Sequence, residues 1–309
     1  MPLYLTESEV TSLLSAEDAL EAVEASFRRL ARGAIENPPR QRLPLPEGAL
    51  AVMPAVDREL GLAGLKSYAA TPRGAMFALL LFSTETGRLD AVIEADKLGQ
   101  LRTGAASGVA ARCLARRGAR TLGVIGCGWQ AESQVACMRA ALASIDHVVA
   151  FCRTPDRLAD FCQRLGAEPG ESHRDAAEQD VVVTVTPSRD PVLRGEWLRA
   201  GALVCAVGAN QRRRRELDNV VLERAAFVCC DLRAQAQLES GDLIEPVESG
   251  VLDWLEVHEL HEVVSGELPG RQLDDDIVLF KSNGIAAWDL AVGAAVLARA
   301  RDTGAGREV

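Results

Sequence analysis

The spacing of apolar residues changes character three times along the chain. Over residues 6–32, Leu13, Leu14, Ala19, Val23, Phe27 and Leu30 recur near a helical period, with Thr6 or Ser8 placed to cap the start. Asn37 to Pro46 is rich in proline and arginine, which predicts extended chain, since a residue preceding proline is driven out of the helical region. Strand-like runs follow at 49–53, 61–68, 77–82 and 89–94, and Thr84 to Gly87 reads as a hairpin turn between the last two. An Ala-rich helix is predicted from about Gly99 to Arg116, ended by Arg117 and Gly118.

From Arg120 the texture becomes alternating. Strands are predicted at 121–125, 147–151, 181–185, 202–207 and 227–230, and helical stretches separate the first three. That alternation is the mark of βαβ units around a parallel sheet. One more Ala-rich helix is predicted at 284–300, and residues 302–309 read as disordered. A chain of 309 residues exceeds the usual size of a single core, so two domains are expected.

Composition narrows the function classes. Hydrophobic residues are 48% and charged residues 25%, the balance of an ordinary globular protein, while 4% aromatics leave the core to Ala, Val and Leu. A formal charge of -10 argues against a nucleic-acid partner, which needs a basic face. No apolar run approaches a membrane span, and the opening MPLYLTESEV lacks the basic start and apolar run of a signal peptide. The eight cysteines form no C-x-x-C pair and several fall in apolar runs such as 203–207, which predicts reduced, buried thiols and a cytoplasmic location. His258 and His261 are three apart rather than four, so the pair fails the zinc-helix spacing and no metal is expected.

The chemistry concentrates after the strand at 121–125. There Gly126, Gly128 and Ala131 form a G-x-G-x-x-A turn that opens a helix and leads to a second strand, as a dinucleotide-binding βαβ unit requires. Gly126 permits the tight turn, Gly128 admits a pyrophosphate to the backbone, and Ala131 takes the helix–strand contact. Trp129 and Gln130 would line the pyrophosphate at the helix N-terminus. At the end of the second strand, where an acid would select NAD, stand Arg153 and Thr154. An arginine grips a 2′-phosphate with charge-assisted hydrogen bonds, so NADP(H) is expected before NAD; a solvated loop arginine is the plain alternative. Thr186, just past the strand at 181–185, is placed to meet the nicotinamide half.

Around this turn, a series of motifs in one order resembles the ornithine cyclodeaminase and mu-crystallin family. They are Pro39 and Arg40; residues 52–55, 64–66 and 101–107; residues 126–134; Arg153 and Thr154; and residues 207–209, 215–218, 238–242 and 280–282. The resemblance covers nearly the whole chain. It implies an α/β protein in which a Rossmann dinucleotide-binding domain (118–282) is joined to a discontinuous α+β substrate-binding and dimerisation domain (1–117 and 283–309), and it implies a homodimer. It also implies that Arg40, Lys66 and Arg102 bind the carboxylate of an amino or imino acid. Read by themselves, Lys66 ends an apolar run and points inward, Arg102 on an Ala-rich helix defaults to solvent, and Arg42 is a neighbouring alternative to Arg40.

One departure separates this chain from a cyclodeaminase. Where the resemblance calls for a catalytic aspartate, the chain has Asn210, followed by a run of arginines that reads as a solvated loop. An amide cannot take up a proton, so Asn210 is expected to hydrogen-bond the substrate nitrogen and Lys66 to supply the proton. The expected activity is hydride transfer between NADP(H) and an imino or amino acid, such as reduction of pyrroline- or piperideine-2-carboxylate. Ornithine cyclodeamination or alanine dehydrogenation is the alternative within enzymes, and an NADPH-binding storage or structural protein the alternative of another class.

Overall fold

The computed structural model describes residues 1–309. Its first elements are β1 (Leu3–Leu5), α1 (Glu7–Leu13), α2 (Ala16–Ala31), β2 (Ile35–Glu36), β3 (Gln41–Leu45), β4 (Gly48–Asp57), β5 (Leu62–Thr71), β6 (Gly74–Ser83), β7 (Leu89–Glu94) and α3 (Asp96–Leu114). Then come β8 (Thr121–Ile125), α4 (Trp129–Ala141), β9 (His147–Phe151), α5 (Pro155–Leu165), β10 (Glu168–Pro169), α6 (His173–Ala177), β11 (Val181–Thr184) and β12 (Leu203–Ala206). The chain ends with α7 (Asn219–Arg224), β13 (Ala225–Cys230), α8 (Arg233–Glu239), α9 (Gly241–Glu248), β14 (Val257–Glu259), α10 (Leu260–Val264), β15 (Ile277–Lys281), α11 (Ala286–Thr303) and β16 (Arg307–Glu308). Two compact units result, residues 1–102 with 284–309 and residues 103–283. No helix is long and apolar enough to cross a membrane.

The first unit is an α+β layer built on one sheet in the order β16-β1-β7-β6-β5-β4-β2, with β3 also paired to β4. Strict alternation along β4 turns Ala51, Met53, Ala55 and Asp57 inward, as a two-residue side-chain period dictates. Phe27 of α2 and Trp288 of α11 are fully buried and meet edge to face at 5.3 Å. α11 approaches β6 closely because residue 293 is glycine, whose place a Cβ would fill only 2.5 Å from Leu79 Cδ2.

Two expectations are corrected here. The single helical region at 6–32 is broken at Leu14, because Thr6 with Glu9 and Ser15 with Asp18 each form a reciprocal capping box that starts its own helix. The terminal residues are ordered rather than disordered: α11 continues to Thr303, β16 pairs with β1, and Arg307 lies over the Tyr4 ring at 4.9 Å.

The second unit is a Rossmann fold. All its strands are parallel, in the order β10-β9-β8-β11-β12-β15-β13-β14. The order reverses between β8 and β11, which is where such sheets receive a dinucleotide. β8, β11 and β12 are apolar on both faces because helices cover both, so they read as unbroken Val/Leu/Ala runs. β15 is missing from the sequence-based reading, although it pairs with β12 on one side and β13 on the other.

Close packing makes Gly123 a sharp test of this sheet. A Cβ there collides with the Ala176 carbonyl oxygen of α6 and lies 3.1 Å from Gln179 Cγ. Gly123→Ala is expected to destabilise the protein by about 3 kcal/mol through overpacking, read as a lowered urea midpoint. An unchanged midpoint would mean that α6 moves freely away from β8.

Candidate active site

The phosphate turn follows directly from the end of β8. Gly126 adopts φ +111°, and a Cβ would lie 2.7 Å from the Val185 carbonyl oxygen, so only glycine fits. Its N–H donates to the Phe151 carbonyl at 2.9 Å, tying the turn to the end of β9. Gly128 differs, because the space a Cβ would occupy is empty. Packing does not demand glycine there; an approaching ligand would. Gly128 also caps α4 without a side-chain hydrogen bond; the Ala131 N–H donates to the Gly128 carbonyl at 3.0 Å, and Ala131 is fully buried at the helix–strand contact. Trp129 is 48% exposed and Gln130 half-buried on the first turn.

Arg153 and Thr154 lie exposed just past β9, and the Thr154 hydroxyl makes no capping bond at the start of α5. His173 packs its ring edge-on against Phe151 at 4.7 Å, and burial together with the nearby Arg153 guanidinium holds its pKa below the ordinary value. Thr186 follows β11 with its N–H bonded to Glu216 Oε1 at 2.6 Å. Asn210 stands half-buried in the loop after β12.

In the first unit the structure brings Arg40, Lys66 and Arg102 together, all buried. Lys66 points in from β5, is 2% exposed, and donates to Asp289 Oδ1 at 2.7 Å. Arg102 Nε, from α3, donates to the same oxygen at 3.0 Å. Arg40 Nη2 donates to the Gly284 carbonyl at 3.0 Å. Gly284 has φ +80°, and a Cβ would come within 2.5 Å of Arg102 Nη1, so glycine gives the guanidinium its place. Trp288 backs Arg102 at 5.7 Å. The neighbouring Arg42 is half-buried on β3, and its strand register sets it opposite Ala51.

Two cations thus meet one carboxylate, and the charge of a third, Arg40, is felt at Lys66. Burial, with Arg102 and then Arg40 beside it, outweighs the pull of Asp289 and lowers the Lys66 ammonium to about 7. Arg102 Nη1 and Asp289 Oδ2 are buried without hydrogen-bond partners. A site with spare positive charge and an idle guanidinium N–H is built to take an anion, and a bidentate carboxylate is the natural fit.

Sequence reasoning missed Asp289. The one signal is that it is the sole acid in the first fourteen residues of an Ala-rich helix, where an unpaired charge would have no reason to be buried. It also left Glu216, Asp242 and Lys281 as motif members without a role, yet all three are wholly buried in the second unit.

The chain is 37% identical to an alanine dehydrogenase of Archaeoglobus fulgidus over 99% of this chain and 98% of that protein. Its structure resembles that of the Δ1-pyrroline-2-carboxylate reductase of Thermococcus litoralis in complex with NADH and L-proline (TM-score 0.94, 30% identity, covering 99% of this chain and 100% of that one). It also resembles an archaeal alanine dehydrogenase dimer with bound NAD (TM-score 0.94, 35% identity, covering 100% of this chain and 98% of that one). The model of the ornithine cyclodeaminase/mu-crystallin family matches residues 2–304. The chain belongs to the ornithine cyclodeaminase/mu-crystallin family.

Proposed function

We propose that the protein is an NADP(H)-dependent imino-acid reductase that also runs as an amino-acid dehydrogenase in reverse, with a cyclic ketimine such as pyrroline- or piperideine-2-carboxylate as substrate. The observation that carries this is the buried set Arg40, Lys66 and Arg102 against the single acid Asp289. The A. fulgidus relative favours alanine dehydrogenation as the second reading.

We assign coenzyme binding to the second unit and substrate binding and dimerisation to the first. The turn fits a dinucleotide: Gly126 is forced by the fold, whereas Gly128 leaves a cradle that any side chain would fill. When bound, the reduced nicotinamide supplies a hydride to the imino carbon. Arg40 and Arg102 hold the substrate carboxylate and so fix its α-carbon, which is how orientation lowers the barrier. Lys66 gives a proton to the imino nitrogen, for which a pKa near neutrality is suited. Asn210 donates or accepts a hydrogen bond but takes no proton, which favours reduction over deamination. The two structural relatives hold NADH and NAD; the preference for NADP(H) here rests on Arg153. A homodimer is supported by the archaeal relative, and a cytoplasmic location by eight free cysteines.

The activity is tested by mixing the protein with NADPH and a panel of cyclic and open-chain imino acids and following absorbance at 340 nm. Coenzyme oxidation on at least one is expected; saturable binding without turnover on any would overturn the reading. Arg153→Ala is expected to weaken NADPH about tenfold, the worth of one charge-assisted pair, while leaving NADH within about threefold; equal losses for both would remove the 2′-phosphate role. Asp289→Asn takes away the charge that raises Lys66, so the protonated lysine is lost at lower pH. Reductive kcat/KM is expected to fall above about pH 7 in the native enzyme and at lower pH in the variant, with about tenfold less activity at pH 8. A profile that keeps its midpoint would show that Lys66 is not the titrating group.

A further inference from the structure

Glu216, Asp242 and Lys281 are wholly buried, and none belongs to the phosphate turn or to the carboxylate anchor. Glu216 Oε1 accepts the Thr186 N–H at 2.6 Å, and Oε2 accepts from Gly208 N at 2.7 Å, Ala209 N at 3.2 Å and the Thr184 hydroxyl at 3.0 Å. Asp242 Oδ1 accepts from Glu216 N at 2.7 Å and Leu217 N at 3.0 Å, while Oδ2 lies 3.0 Å from Lys281 Nζ. Lys281 also donates to the Ala209 carbonyl at 2.7 Å and the Ala206 carbonyl at 3.3 Å.

Every main-chain group that Glu216 and Lys281 hold belongs to β12 or to the segments leaving β11 and β12. Those segments touch directly: a Cβ on Gly208 would collide with the Thr186 backbone and lie 2.6 Å from Glu216 Oε1. Ala209 is gripped on both faces, its N–H by Glu216 and its carbonyl by Lys281, so the direction in which Asn210 leaves the sheet is fixed. The strand order sets β9, with Arg153, on one side of β8 and β11 with β12 on the other. A dinucleotide laid across that reversal with its adenosine half at β9 puts its nicotinamide half at the ends of β11 and β12.

Stability alone is a poor reason for such a cluster. Buried ion pairs are often matched or bettered by apolar side chains of the same volume, and here two carboxylates share one ammonium. What charge adds is direction, because both oxygens of Glu216 and Oδ1 of Asp242 hold named N–H and hydroxyl groups in place. We propose that Glu216, Asp242 and Lys281 form a positioning triad that sets Thr186 and Asn210 against the nicotinamide end of the coenzyme. This rests on the dinucleotide reading of the second unit.

The test needs no substrate. Calorimetry compares NADPH with 2′-phospho-ADP-ribose, the same molecule without its nicotinamide, on native protein, Glu216→Gln and Lys281→Met. Native protein is expected to bind NADPH on the order of tenfold tighter than the fragment. In each variant the fragment should stay within about threefold of native, while NADPH falls to the level of the fragment. Parallel loss of both ligands, unchanged NADPH affinity, equal native affinity for the two ligands, or failure of both variants to fold would each overturn the triad's positioning role. A native protein that binds neither NADPH nor NADH would instead sink the coenzyme reading itself.

Discussion

A carboxylate taken out of water must be met by positive charge or by donors, and the first unit is arranged around that requirement at Asp289. Left alone, such a group costs several kcal/mol and would take up a proton instead. Lys66 and Arg102 converge on one of its oxygens from β5 and α3, so three elements far apart in the chain are joined at a single atom. Arg40 then joins them by way of the Gly284 carbonyl. The outcome overshoots. Two positive charges meet one negative one with a third close by, and on the proposed reading that surplus is what draws an anion.

The second unit meets the same constraint with the opposite sign and a different ending. Two carboxylates there face one ammonium, so the surplus is negative. It is absorbed by main-chain N–H groups at the ends of the strands rather than by a visitor: Glu216 alone accepts from three of them. Burial and the neighbouring Asp242 push the Glu216 carboxyl up, while Lys281 and these donors pull it back. With both Glu216 oxygens and Asp242 Oδ1 hydrogen-bonded and Asp242 Oδ2 ion-paired to Lys281, this cluster supports its surroundings. On the proposed reading, the cluster with the idle Arg102 guanidinium N–H receives an anion.

How much of this was legible in the sequence follows from the range of each signal. The turn at Gly126 to Ala131 was legible because every requirement on it is local: a strand before, a helix after, and glycines where φ or a close approach demands them. Lys66 was legible as an inward lysine because it closes the apolar run at 61–65. Asp289 was not, since its partners lie 223 and 187 residues away and helical spacing says nothing about them. β15 was missed because a short apolar run of Ile277–Lys281 looks like any buried segment until β12 and β13 flank it. β16 was missed because polar residues at a chain end read as disorder, and only the edge of β1 gives them a partner.

The Lys66 ammonium explains why these charges had to be uneven. Its pKa near 7 is the balance of desolvation, Arg102 and Arg40 pushing down and Asp289 pulling up. A balanced pair would hold the lysine permanently charged, and a lysine with no acid beside it would stay neutral. On the proposed reading, a carboxylate arriving at Arg40 and Arg102 adds negative charge next to Lys66 and tips that balance towards the ammonium. Substrate binding therefore brings the proton that the imino nitrogen needs, and release of the product lets it go. The fold needs no separate acid, which is why an amide at position 210 is compatible with reduction although it is a poor substitute for the carboxylate that deamination requires.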